Sequence, residues 1–267
     1  MTQHPTAVDL YHMIDGPADA PVLVLGPSLG TDVGLFDAQV AALADRWRIV
    51  RFDLRGHGGS PTPPGPYTMS DLAGDVLALL DSLGVERFHY AGVSIGGAIG
   101  QWLAIHAGHR LLSLAVCASA AQFADPESWP VRAASVRAEG TEILVPSRTG
   151  TWFVPQFAHD RPQEAGRLLD MLRATSREGY AGCCEAIGAF DVRDQLSRIT
   201  VPTLVIAGAD DPATPVEMVR AIALGIAGAT FVVVGDAAHL VNAEQPEAVN
   251  QALAEHLERS GARPVRT

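Results

Sequence analysis

A chain of 267 residues, 48% hydrophobic and 18% charged, carries enough apolar surface for one large folded domain and does not have the composition of a disordered chain. Its net charge of −11 excludes nucleic acid as the main partner, because phosphate binding needs a basic face. No apolar run reaches the roughly 18 residues of a membrane span, and three cysteines, two of them adjacent at Cys183 and Cys184, exclude a disulfide scaffold.

The opening segment MTQHPTAVDLYHM has no apolar stretch behind basic residues, so no signal peptide is expected and a reducing cytoplasm is. The cysteines are expected as small buried hydrophobes. The first strand-like run is PVLVLG (21–26), followed by the loop PSLGTD (27–32). RIVRFD (48–53) is the next, leading into RGHGGS. MSDLAGDVLALLDSLG (69–84) predicts a helix with Ser70 as N-cap, Gly84 at its end, and Leu72, Val76, Leu79, Leu80 and Leu83 on one face. FHYAGV (88–93) and LLSLAVC (111–117) are strands flanking the helix GGAIGQWLAIHAG (96–108).

From 123 to 190 the strand runs stop, and the text becomes helical and rich in Arg, Trp and Pro. They resume at TLVIAG (203–208), followed by a helix over 214–226 with Pro215 in its first turn. TFVVVG (230–235) and a closing helix over 245–261 complete the chain. Apolar runs that are continuous rather than alternating belong to a parallel sheet with both faces covered. The expected architecture is therefore α/β, a mostly parallel doubly wound sheet. Its core spans 1–122 and 191–267, and 123–190 form a helical cap inserted over it.

The chemistry gathers at three loops. Gly92-Val93-Ser94-Ile95-Gly96 lies between a predicted strand and a predicted helix, the setting of a nucleophile elbow. There a sharp turn exposes the serine hydroxyl, and side chains two before and two after it would collide. A serine needs a base, and the base needs an orienting carboxylate. ADDPATP offers Asp210 and Asp211 just beyond a strand, of which Asp211 sits in the loop proper; DAAHLVNAEQPE places His239 just beyond the next. Of the nine histidines, His239 alone follows a late strand and precedes a helix; His4, His12, His89, His106, His109, His159 and His256 have no such context. The oxyanion donors expected are the backbone N–H groups of Leu29 and Ile95. Asp53, Arg55 and His57 are expected to brace a loop beneath the site through internal hydrogen bonds. No cluster has metal-ligand spacing and no phosphate loop occurs, so no cofactor is expected.

These residues resemble the α/β-hydrolase family over essentially the whole chain, and within it the enol-lactonases of aromatic catabolism. The similarity rests on IDGPADAPVLVLGPSLGTD (14–32), RFDLRGHGGS (51–60), GPYTMSDLAGDVLALLDSLG (65–84), GVSIGGAIGQWLAIHAGHRLLSL (92–114), MLRATSREGYAGCCEAI (171–187) and AAHLVNAEQPE (237–247), with SLGTD, IGQWL and TSREGYAGCCEAI as the more diagnostic stretches. The resemblance implies opening of 3-oxoadipate enol-lactone, a small anionic substrate, by a serine acyl-enzyme route beneath a helical cap. Inside a chain of net charge −11 the substrate carboxylate needs a local cation: Arg132 is expected, with Arg148 in reserve and Trp152 as a pocket wall. The family pattern puts a basic residue directly before that tryptophan, where this chain has Thr151. A general carboxylesterase, a carbon–carbon hydrolase, a cofactor-free perhydrolase and a ligand-binding receptor on the same scaffold remain alternatives, and self-association is left open.

Overall fold

The structure, a computed structural model, describes residues 7–261; His4 and the outermost residues of the expected core lie outside them. The strands are β1 (His12–Asp15), β2 (Val22–Gly26), β3 (Arg48–Phe52), β4 (Phe88–Val93), β5 (Leu111–Cys117), β6 (Thr203–Gly208) and β7 (Thr230–Val234). They form one sheet in the order β1-β3-β2-β4-β5-β6-β7, in which only the β1–β3 pair is antiparallel. β4, which ends against Ser94, is in the middle of this order and buried along its length.

The strand β1 was not predicted, for a physical reason. Its four residues HMID are half-buried at the two ends and exposed in the middle, so no apolar run marks it, and its register is set only by pairing with β3. The other edge departs from expectation too. TFVVVG reads as a doubly covered strand, yet β7 is the outermost strand and Val233 stays 43% exposed.

The helices are α1 (Asp37–Leu43), α2 (Met69–Ser82), α3 (Ile95–His106), α4 (Ser128–Glu139), α5 (Pro155–Asp160), α6 (Pro162–Ala174), α7 (Arg177–Gly188), α8 (Val216–Gly225), α9 (Val241–Glu244) and α10 (Pro246–Arg259). In α2 the N-cap is Thr68, not Ser70. The Thr68 hydroxyl accepts the Asp71 N–H at 3.2 Å while the Asp71 carboxylate accepts the Thr68 N–H at 2.8 Å, a reciprocal pair that Ser70 could not form. Pro215 is likewise the N-cap of α8 rather than part of its first turn. Among the described residues no helix is long and apolar enough to cross a membrane.

Helices α4 to α7 all lie between β5 and β6. At their root Gln122 bridges Asp191, and the Val192 N–H donates to the Ala121 carbonyl at 2.9 Å. Two of these helices are tied together by Arg137 of α4, which forks onto Glu178 at 2.8 Å and Glu185 at 2.5 Å, both on α7. Cys117, Cys183 and Cys184 are buried and unpaired, and burial pushes the Cys117 and Cys184 thiols up to about 12.

Candidate active site

Ser94 occupies the single-residue turn between β4 and α3 with φ 57° and ψ −117°, backbone territory costly to a residue with a Cβ. Two hydrogen bonds hold the strained residue: its N–H donates to the Cys117 carbonyl at 2.9 Å, and its own carbonyl accepts the Ser119 hydroxyl at 2.7 Å. The flanking glycines have distinct jobs. A Cβ on Gly92 would lie 2.3 Å from the Gly96 carbonyl carbon, whereas one on Gly96 would lie 2.1 Å from the Gly26 carbonyl oxygen. The first glycine lets the turn close, and the second lets α3 approach the end of β2.

His239, 6% exposed, sits in the loop between β7 and α9. Its Nδ1 donates to Asp211 Oδ2 at 2.8 Å, which leaves Nε2 as the basic nitrogen of the neutral ring. Asp211 is 4% exposed, and its other partners are the Ala213 N–H at 2.7 Å, the Thr214 N–H at 3.1 Å and the Thr214 hydroxyl at 2.5 Å. Burial works to raise its proton affinity, but His239 and these donors outweigh it and hold the carboxyl below the usual range. Asp210 instead points to solvent.

The loop after β2 turns tightly at Ser28–Thr31, with Gly30 at φ 81° and the Thr31 N–H donating to the Ser28 carbonyl. His57 braces it from below: the Gly30 N–H donates to His57 Nε2 at 3.0 Å, while Nδ1 faces the Arg55 carbonyl at 3.2 Å. Burial pushes the His57 pKa down to about 4, which keeps Nε2 an acceptor. Asp53 accepts the N–H groups of Val33 and Gly59, and Arg55 forks onto Asp75 at 2.7 Å. Ile95 is the first residue of α3, where an N–H has no acceptor within the helix.

Ser94, His239 and Leu29 line one cavity of about 470 Å³. The segment between β5 and β6 supplies Trp129, Arg132, Arg148, Trp152, Tyr180 and Ile187 to its lining. Arg148 is buried, and its guanidinium bonds only the Leu144 carbonyl at 3.3 Å and the Ser147 hydroxyl at 2.9 Å. Among the described residues it has no carboxylate partner, whereas of the other buried arginines Arg51 has two and Arg55 one. Burial, then the nearby Arg132 charge, lowers its pKa from the ordinary arginine value, so an anion here would be welcome. Arg132 is half-buried and lies over the Trp129 ring at 4.5 Å. Sequence reasoning missed Trp129 and Tyr180 as lining residues, and Thr214 as a partner of Asp211; Tyr180 and Thr214 stand in stretches the sequence singles out, but nothing in them assigns these side chains a contact.

The geometry has counterparts among known proteins. The family model for the alpha/beta hydrolase fold matches residues 21–246. The chain is 41% identical over 246 residues to 3-oxoadipate enol-lactonase 2 of Acinetobacter baylyi, covering 92% of each. It superposes on the crystal structure of the enol-lactonase from Burkholderia xenovorans LB400 with a TM-score of 0.92 at 40% identity, covering 94% of this chain and 97% of that one. A thermophilic esterase from Thermogutta terrifontis, solved with malate bound, matches with a TM-score of 0.91 at 30% identity over 97% of this chain and 96% of its own.

Proposed function

The chain belongs to the α/β-hydrolase family, and from that premise we propose that it opens 3-oxoadipate enol-lactone to 3-oxoadipate, in the β-ketoadipate route of aromatic catabolism, through an acyl-enzyme on Ser94. The observation that carries the reading is a single cavity. It brings the strained Ser94 and the Asp211-held His239 together with a buried guanidinium that lacks a carboxylate. A lactone ring with a carboxymethyl arm supplies the two groups such a cavity lacks, a carbonyl and an anion.

In this mechanism His239 Nε2 takes the Ser94 proton as Oγ attacks the ring carbonyl, and Asp211 steadies the imidazolium that forms. The tetrahedral oxyanion is held by the N–H groups of Leu29 and Ile95, helped by the N-terminus of α3. The acyl–oxygen bond of the ring then breaks. Its oxygen departs as an enolate, a better leaving group than an alkoxide, and the proton returned from His239 completes tautomerisation to the ketone. Water, deprotonated by His239, attacks the acyl-enzyme and frees the dicarboxylate product. Arg148 and Arg132 hold the substrate carboxylate, and Trp152 walls the ring. The site calls on no metal or organic cofactor. Three unpaired thiols suit the reducing cytoplasm.

The test is substrate discrimination by the two arginines. Arg148→Ala and Arg132→Ala are each expected to raise KM for the enol-lactone by about 10- to 100-fold, the scale of a lost charged hydrogen bond. KM for a neutral aryl ester should stay close to wild type. Equal effects on both substrates would remove the arginines from carboxylate binding. Efficient ester turnover with none on the lactone would make the protein a general carboxylesterase.

A further inference from the structure

Glu244, the last residue of α9, is 2% exposed and lies behind the histidine loop. Its two oxygens serve backbone donors from different parts of the fold. Oε1 accepts the N–H of Val154 at 2.7 Å, in the cap segment that continues from Trp152 into α5. Oε2 accepts the N–H of Ala238 at 2.5 Å, the residue directly before His239. The same seam is closed by two backbone bonds, from the His239 N–H to the Thr151 carbonyl at 3.3 Å and from the Leu240 N–H to the Trp152 carbonyl at 2.7 Å. The pocket wall and the base-bearing loop therefore run side by side, and one carboxylate grips both.

A buried carboxylate is costly, and among the described residues no cation forms an ion pair with this one. Its charged surroundings are mostly of like sign. Asp210 and Asp211 lie close enough to act on it, and Asp160, Arg161 and Asp236 share with it a second cavity of about 620 Å³. Burial first, then Asp210 and Asp211, push its pKa up to about 7, against the pull of the two N–H donors. Protonation avoids that cost but leaves one oxygen a poor acceptor, so the grip on both amides is firmest in the charged form.

We propose that Glu244 is a positioning residue that locks the cap's substrate wall to the loop carrying His239, so that one side chain sets both substrate fit and base orientation. The cap then works as a fixed wall at this seam, and disturbing either end of the clamp reaches the other. The inference rests on the reading of Ser94 and His239 given above.

The experiment follows phosphonylation of Ser94 by a small fluorophosphonate, in which Oγ–P forms, P–F breaks, fluoride leaves and His239 accepts the serine proton. It is run beside the KM for the enol-lactone and the pH profile of kcat/KM. Glu244→Gln keeps the volume but turns a donor toward one of the two N–H groups. Labelling should slow by about tenfold or more, KM should rise, and the acid limb of the pH profile should move. Val154→Pro tests the coupling from the cap end and stands in if the glutamine variant does not fold. Val154 already has φ −64°, which proline shares, so the backbone can keep its path while the N–H is lost. It too should slow labelling, although position 154 is remote from Ser94 in sequence. Wild-type labelling rates, an unchanged KM and an unmoved pH profile, with only a lowered melting temperature, would overturn the clamp. A wild-type protein that the fluorophosphonate never labels would overturn the serine reading, and the clamp with it.

Discussion

At the scale of single residues, His57 shows an acceptor that must stay unprotonated. It receives the Gly30 N–H and so braces the turn at Leu29, whose amide we propose as an oxyanion donor. Its neutral ring accepts through Nε2 only because burial holds its pKa at about 4. His57→Ala should lower kcat about tenfold, short of the roughly 10²–10³ lost when an oxyanion donor is removed outright. KM should hold, because the oxyanion exists only along the reaction path. Steady-state kinetics on the lactone checks this, and an unchanged kcat would detach His57 from the oxyanion loop. Ser94, Asp211 and His239 stand out in the sequence because each follows a strand, and the structure puts Asp211 against His239 and lines one cavity with His239 and Ser94. Glu244 was not. It was quoted within AAHLVNAEQPE, but nothing in sequence shows that its partners are Val154 and Ala238, one of them ninety residues away.

Among elements, legibility followed burial. The strands β2 to β6 were readable because helices cover both faces and force continuous apolar runs. β1 was not readable, since an exposed four-residue edge strand is defined by its neighbour's hydrogen bonds and not by its own side chains. The segment between β5 and β6 was readable as a break in rhythm, where strand runs give way to α4 to α7, but not as a set of contacts. One close approach to the loops of the sheet is backbone to backbone: a Cβ on Gly179 of α7 would lie 2.4 Å from the Cα of Gly56, and Gly56 itself sits at φ 73°. Two glycines thus let α7 rest on the loop that carries His57. In the sequence they are two glycines among 26.

For the whole molecule, the buried titratable groups oppose one another. His57, His89 and His256 are each pushed by burial to about 4, so the unfolded chain takes up their protons first. The stability they contribute is present above pH 6.5 and is lost as pH falls toward 4. Asp53, raised to about 6, and Glu244, raised to about 7, act with the opposite sign. Their folded forms keep a proton that the unfolded chain gives up, so their contribution is present at low pH and is lost as pH rises through those values. The two carboxyls therefore soften the acid-side decline set by the three histidines. Glu244→Gln should steepen that decline between pH 7 and pH 4.5 in urea unfolding. Parallel curves for variant and wild type would show that Glu244 holds no proton in the folded protein.

Every scale depends on one hydroxyl doing the chemistry. The direct measurement is loss of enol-lactone absorbance with wild-type protein and Ser94→Ala side by side at matched folded concentration. The wild type is expected to consume the lactone. The alanine variant, equally stable and with the cavity intact, should lose turnover by about 10⁴-fold or more. Lactone consumption by Ser94→Ala at the wild-type rate would contradict the account.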